Sequence, residues 1–149
     1  MLKIAHRGNI DGPSTLENSP DHLNKALSLG YDVEVDVWII GEEIFFGHDT
    51  PTWGPIPDSY LVSIKDSAWF HCKNLEALNT FISKYPDMKF FWHESDSYTL
   101  TSNLYIWTYP GEKVTNRSII VSLDGSAPSG SPYAMCSDNF LQIDDSNEL

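Results

Sequence analysis

Basic side chains are scarce in this chain. Nine Lys and Arg stand against twenty-one Asp and Glu, a formal charge of −12 over 149 residues, so the cationic footprint that holds a polyanionic nucleic acid is missing. A small phosphate ester stays within reach of such a protein, provided that a few Arg or Lys side chains or a divalent cation reverse the field locally. Cysteine is scarce too. Cys72 and Cys136 lie far apart and form no CxxC pair, which argues against a zinc knuckle and a disulfide framework and leaves a single bridge between them open. No stretch approaches the roughly 20 apolar residues of a membrane span, and the apolar part of Met1-Leu2-Lys3-Ile4-Ala5 is too short for a signal peptide. These absences predict a cytoplasmic protein with no transmembrane segment. No internal repeat is visible. Asp124 to Pro132, rich in Gly, Ser and Pro, reads as a flexible connection, and the acidic tail from Asp144 onward reads as frayed.

What is present suits a packed core. Hydrophobic residues make up 41% and aromatics 13%, with five Trp and seven each of Tyr and Phe. Splitting the chain would leave each half near the lower limit for independent folding, so residues 1–149 are read as one domain.

Leu2 to His6 is a short apolar run ending in polar residues and glycine, as in a buried strand that delivers side chains to a loop. Pro20 to Leu29 carries Leu23, Ala26 and Leu27 at helical spacing, with Ser19 as cap and Gly30 as stop. Tyr31 to Ile40 alternates, Val33, Val35 and Val37 on one side and Asp32, Glu34, Asp36 and Trp38 on the other, the period of a strand. Strand, helix and strand make a βαβ unit. Gly41-Glu42 turns the chain into Glu43 to Gly47, which can pair back as a hairpin, and Thr52 to Asp58, with Gly54, Pro55 and Pro57, reads as loop. Further strand candidates are Ala68 to Cys72, Lys89 to Trp92, Leu104 to Trp107, Ser118 to Val121 and Tyr133 to Cys136, with one clear helix, Asn74 to Lys84, among them. The gaps between the last four runs are too short for full crossover helices. The pattern predicts an α/β fold, a parallel barrel with much of its helical coat stripped away, since a complete eight-unit barrel takes about 250 residues. Bare apolar strand faces would favour a homo-oligomer that covers them.

Glu34 and Asp36 sit two apart on a strand and share a face, which in a barrel is the interior. Buried carboxylates repel, and a hard cation such as Mg²⁺ or Ca²⁺ relieves them; the plainer alternative is a strand with a wet face. His6 and Arg7 end the first strand, and His48 with Asp49 ends the piece after the second. Two imidazoles on opposite sides of a phosphate can act as general base and general acid, and Arg7 can grip the phosphate through its planar fork. Each of these residues taken singly also fits a structural or surface role.

The combined pattern is more telling. Ala5-His6-Arg7-Gly8, Leu16-Glu17-Asn18-Ser19, Ala26, Gly30, Val33-Glu34-Val35-Asp36-Val37 and Gly47-His48-Asp49 closely resemble the glycerophosphodiester phosphodiesterase family in content, order and spacing. The resemblance implies a reduced TIM-type parallel β-barrel of the phospholipase-C-like kind, and metal-dependent hydrolysis of a glycerophosphodiester to an alcohol and glycerol phosphate. By resemblance His6 and His48 become the acid–base pair, Arg7 a phosphate ligand, Glu34 and Asp36 metal ligands, and Glu17, Asn18 and Asp49 supports. Beyond residue 50 the likeness thins. Phe70-His71-Cys72-Lys73 falls where the family carries Glu-x-Lys on a strand, so Lys73 fits a substrate contact while His71 replaces an acidic metal ligand. Mg²⁺ or Ca²⁺ stays the expected ion, while nitrogen there opens the site to a softer ion such as Mn²⁺ or Zn²⁺, or to fewer protein ligands. Ile106-Trp107-Thr108 resembles a late strand of the family and makes Trp107 a candidate substrate contact, with a core role as the alternative; Met135-Cys136-Ser137-Asp138 resembles the closing strand. His93 and Glu94 mark another barrel-end position and could contribute to the site, with an exposed polar loop pair as the plainer account. Two rival expectations stand beside this one: a related enzyme acting on lysophospholipids, and a catalytically idle homologue that binds a phosphorylated ligand or a protein partner.

Overall fold

The computed structural model describes residues 1–126 and 130–141. The tail from Asp144 and part of the Asp124 to Pro132 stretch lie outside them. Helices begin where capping chemistry allows. In α1 (Pro20–Ser28) Ser19 Oγ accepts the His22 N–H at 3.2 Å, and proline fills the first turn, where no amide donor is needed. A second helix, α2 (Asp58–Ile64), is short. In α3 (Leu75–Lys84) Asn74 Oδ1 accepts the Ala77 N–H at 3.0 Å, and the same amide bonds both backbone groups of Ile39, at 2.9 and 3.2 Å. The cap therefore also anchors the helix to the strand beside it.

The strands form one ten-stranded sheet. β6 (Lys89–Phe91), β5 (Ala68–Cys72), β2 (Asp32–Ile40), β1 (Leu2–His6), β10 (Ala134–Ser137), β9 (Ser118–Val121) and β8 (Ile106–Thr108) lie side by side in that order, each parallel to the next. Each coincides with a run that the sequence predicts as strand. The far half of β2 runs past β1 and pairs antiparallel with β3 (Glu43–Phe46), which pairs antiparallel with β4 (Trp53–Ile56); β7 (Tyr98–Leu100) lies antiparallel to β8.

The reduced TIM-type parallel β-barrel expected from the sequence is therefore corrected. The sheet is mixed and curls into a half-barrel, mostly strand, with three short helices among the described residues. The reasons are local. An antiparallel partner needs only a tight turn, so Gly41-Glu42 returns the chain at once into β3. The stretch from Thr52 to Asp58, read as loop, instead supplies β4 and the start of α2, whose buried stripe of Leu61 and Ile64 is too short to show as a periodicity. After β6 the connections are too brief for crossover helices, and β7 fills one of them as a hairpin arm. No ladder joins β6 to β7 or β8. Hydroxyls meet its edge instead: Ser102 Oγ accepts the Phe90 N–H and donates to Met88 O, both at 2.9 Å, and Thr99 Oγ1 donates to Trp92 O at 2.7 Å.

Packing separates the two faces of the sheet. Val33, Val35 and Val37 of β2 pack outward with Phe70 against Leu23, Ala26, Leu61 and Phe81 of the helices, while Ile4, Trp69, Phe91, Trp107, Ile119 and Cys136 fill the concave side. Ile120 and Met135, on β9 and β10, pack with Phe140 and Val114, so these outer faces are not bare. Cys72 and Cys136 are buried free thiols. Among the described residues no helix is long and apolar enough to cross a membrane. Phe81 joins sheet and helix, its ring centroid 5.1, 5.3 and 5.5 Å from those of Phe70, Tyr85 and Phe90. Phe81→Ala is expected to destabilise the protein by about 3–5 kcal/mol in urea unfolding, through lost burial and the cavity left behind.

Candidate functional site

Strand register builds the site. On β2, Glu34 stands opposite His6 of β1, and Asp36 stands opposite His71 of β5. Because the four point to the concave side, two carboxylates come to lie between two imidazoles at the carboxyl ends of parallel strands, where open sheets bind their ligands. Glu34 and Asp36 are 2% and 1% exposed.

Their oxygens are almost fully engaged. Glu34 Oε2 accepts the Arg7 backbone N–H at 3.2 Å and lies 3.8 Å from His6 Nε2, while Oε1 lies 3.8 Å from His71 Nδ1. Asp36 Oδ1 is 3.1 Å from His71 Nδ1; Oδ2 accepts from Asn18 Nδ2 at 3.0 Å and lies 3.5 Å from Arg7 Nε. Asn18 also accepts the Asp36 backbone N–H at 3.0 Å. Arg7 and Asn18 reach these positions from left-handed backbone, φ 56° and 69°, a strain that the site itself sustains. Glu17 holds the Arg7 fork from outside, Oε1 to Nη1 at 3.0 Å, and Trp53 Nε1 pins Glu17 O at 3.0 Å.

His71 is set for nitrogen ligation. Its Nε2 is 3.1 Å from the His93 carbonyl, which fixes the proton there and leaves Nδ1 facing the two carboxylates. Its ring stacks on Phe91 at 4.9 Å, and Phe91 stacks on Trp107 at 4.3 Å. Ligand atoms of Glu34, Asp36 and His71 all fall within 4.8 Å of one another, a cluster that could hold a metal ion.

A cavity of about 640 Å³ opens above this cluster. His6, Arg7, Glu34, Asp36, His48, Asp49, His71, Lys73 and Trp107 all line it, so the candidate residues of the sequence converge, with Glu17 and Asn18 behind the wall as supports. Trp107 is 5% exposed and covered by Phe91, so most of its ring belongs to the core. His48 arrives on the loop after β3. A Cβ on Gly47 would run into the Thr50 carbonyl, so only glycine allows that turn, and Trp38 Nε1 holds Gly47 O at 2.7 Å. Asp49 accepts from His48 Nδ1 at 2.8 Å. Two participants escape sequence reasoning. Asp138, just past β10, bonds His6 Nδ1 at 2.8 Å, and Asn9 bonds both Asp138 and Glu17 at 2.9 Å. Strand-end logic applied to the last strand would have found Asp138; nothing local marks Asn9.

Burial and the neighbouring charge of Asp36 push Glu34 from its ordinary 4.5 up to about 7. Burial would raise Asp36 as well, but His71, Asn18 and Arg7 outweigh it and hold that carboxyl far below the usual range. Burial opposes a charged His6, yet Asp138 and Glu34 raise it; burial and Arg7 lower His48. No known protein family, curated protein or solved structure matches this chain.

The raised value of Glu34 has a consequence for stability in chelator. A carboxyl that binds its proton more tightly in the folded state contributes stability that is complete below its ordinary 4.5 and lost as pH rises through about 7. Asp36 acts in the opposite sense, its share lost only as pH falls below the carboxylate range. The metal-free wild type should therefore melt at lower temperature at about pH 8 than at about pH 5, and Glu34→Gln should lose much of that difference. Thermal unfolding of both proteins with a chelator present checks this; equal slopes would rule out Glu34 as its source.

Proposed function

We propose that this protein is a metal-dependent phosphodiesterase that hydrolyses a glycerophosphodiester to glycerol phosphate and an alcohol, as its resemblance to the glycerophosphodiester phosphodiesterases implies. The observation that carries this reading is a buried carboxylate pair with an imidazole nitrogen beside it, facing a cavity that His6, His48, Arg7 and Lys73 also line. A carboxylate pair and one nitrogen fit a divalent cation. The strain in the charge balance at Glu34 is what a cation would relieve. Bound there, the ion would neutralise charge on a phosphate oxygen. Mg²⁺ or Ca²⁺ suits the carboxylates, and the His71 nitrogen shifts the preference toward Mn²⁺ or Zn²⁺.

The remaining chemistry belongs to the chain. Arg7 and Lys73 offer positive charge to the phosphoryl oxygens. Of His6 and His48, one takes the proton of the attacking water as its oxygen bonds phosphorus, and the other protonates the alcohol oxygen as its bond to phosphorus breaks. The same observations support one alternative. His71 stands 3.1 Å from Asp36, where its positive form would take the place of a cation. A phosphate-binding protein without turnover would then bind glycerol phosphate in chelator and hydrolyse nothing.

Phosphodiesterase assay across glycerophosphocholine, glycerophosphoethanolamine, glycerophosphoinositol and lysophospholipids, with and without chelator, tests the reading. Activity should vanish in chelator and return with a divalent ion. Asp36→Asn should abolish both activity and ion dependence with the fold intact, and His6→Ala and His48→Ala should each lower kcat by about 10²-fold or more. Full activity of Asp36→Asn would refute the proposal.

His71 yields a separate test in binding. His71→Glu restores an oxygen ligand and a negative charge, so calorimetric titration should show tighter Mg²⁺ binding than in the wild type. Unchanged affinity and ion preference would place His71 outside the coordination sphere.

A further inference from the structure

His6 has a partner at the end of the last strand to which the sequence pattern gave no role. Asp138 follows the last residue of β10, is 6% exposed and does not line the cavity, but its Oδ1 sits 2.8 Å from His6 Nδ1. The same oxygen accepts Asn9 Nδ2 at 2.9 Å. Asn9 is fully buried, and its amide is locked at both ends: the nitrogen lies between Asp138 and Glu17, each at 2.9 Å, and the oxygen is 2.8 Å from His22 Nε2. Turning that amide over would set its oxygen against two carboxylates, so the arrangement is one-way.

We infer that Asp138 is the positioning residue for His6, and that Asn9 selects the Asp138 oxygen that does it. The inference rests on the phosphodiesterase reading for its kinetic consequence, not for its geometry. A carboxylate at Nδ1 requires the proton there, so in the neutral ring the nitrogen facing Glu34 and the cavity, Nε2, carries the lone pair. Without Asp138 the Nδ1–H form loses its acceptor. The neutral ring then returns to the Nε2–H form that free imidazole side chains favour, with the wrong nitrogen protonated toward the substrate. The logic is that of the Asp–His pair in serine proteases. Through Glu17 the same Asn9 amide also steadies Arg7, so one buried side chain aligns a proton-transfer group and a phosphate ligand.

The test uses the full chain with ¹⁵N-labelled histidine in Mg²⁺, where long-range proton–nitrogen spectra report the His6 tautomer, together with steady-state kinetics on the best substrate of the panel. In the wild type the neutral His6 ring should carry its proton on Nδ1. Asp138→Ala should move it to Nε2 and lower kcat by about 10²-fold with KM changed less than about twofold. Asp138→Asn should keep the Nδ1–H tautomer, because Asn9 donates to the oxygen side of the new amide, unlike the serine-protease pair where the same change inverts the tautomer, and should turn over faster than Asp138→Ala. A wild-type ring protonated on Nε2 would overturn the inference whether or not the Ala variant folds. So would an Asp138→Ala protein with an unchanged tautomer, or one that raises KM at constant kcat. Should the wild type hydrolyse no member of the panel, the enzyme reading fails while the spectra still decide the geometry.

Discussion

Burial of two carboxylates two residues apart on the central strand is the constraint around which the rest of this structure is arranged. Uncompensated, Glu34 and Asp36 would oppose folding, since each loses water and each repels the other. The protein answers with two donors, the Arg7 backbone amide and the Asn18 side chain, with the Arg7 guanidinium 3.5 Å from Asp36, and with the imidazoles of His71 and His6 close by. Both donor residues hold left-handed backbone. Such geometry persists where the surroundings hold it, and here the hydrogen bonds to Glu34 and Asp36 do so.

The two halves of the sheet contribute differently. On the β2 and β5 side, helices α1, α2 and α3 clamp the outer face through Leu23, Leu61 and Phe81, so the carboxylates and His71 stand on well-packed strands. The β8 to β10 side lacks helices among its described residues and closes its concave face with aromatic stacking instead, Phe91 on Trp107 and Trp69 against Tyr105. Its loops bring Tyr109, Pro110, Val121 and Leu123 to the cavity wall. The carboxylates and His71 therefore stand on strands backed by helices, and the wall on the other side of the cavity is made of loop and strand-end residues, where substitution costs the core least.

The β3–β4 hairpin explains how so short a chain assembles both ends of a site. It pairs with the half of β2 that lies beyond β1, and two indoles of this β2–β4 unit reach back, Trp38 Nε1 on β2 to Gly47 O at 2.7 Å and Trp53 Nε1 on β4 to Glu17 O at 3.0 Å. One bond steadies the turn into His48, the other the loop that carries Glu17 and Asn18. Pieces that are remote in sequence are thus tied to the same β2–β3–β4 unit.

Much of this was legible without coordinates, for a physical reason. A side chain's face on a strand depends only on local alternation, so Glu34 and Asp36 could be set together opposite Val33, Val35 and Val37, and every parallel strand and the helices α1 and α3 followed from runs, caps and stops. Of the antiparallel additions only β3 was legible, from the Gly41-Glu42 turn and the apolar run after it. β4 hides among prolines, β7 and α2 are too short to show a period, and the choice between a turn and a crossover turned a predicted parallel barrel into a mixed half-barrel. Register lay further still beyond local pattern. That His6 meets Glu34, that His71 meets Asp36, and that Asn9 and Asp138 lie 2.9 Å apart across 129 positions are products of long-range pairing. The raised proton affinity of Glu34 likewise arises only once water has been removed. Sequence alone determined which residues could do chemistry and which way they would face; tertiary structure decided their neighbours, because neighbours are set by pairing between distant strands and their charge states by burial.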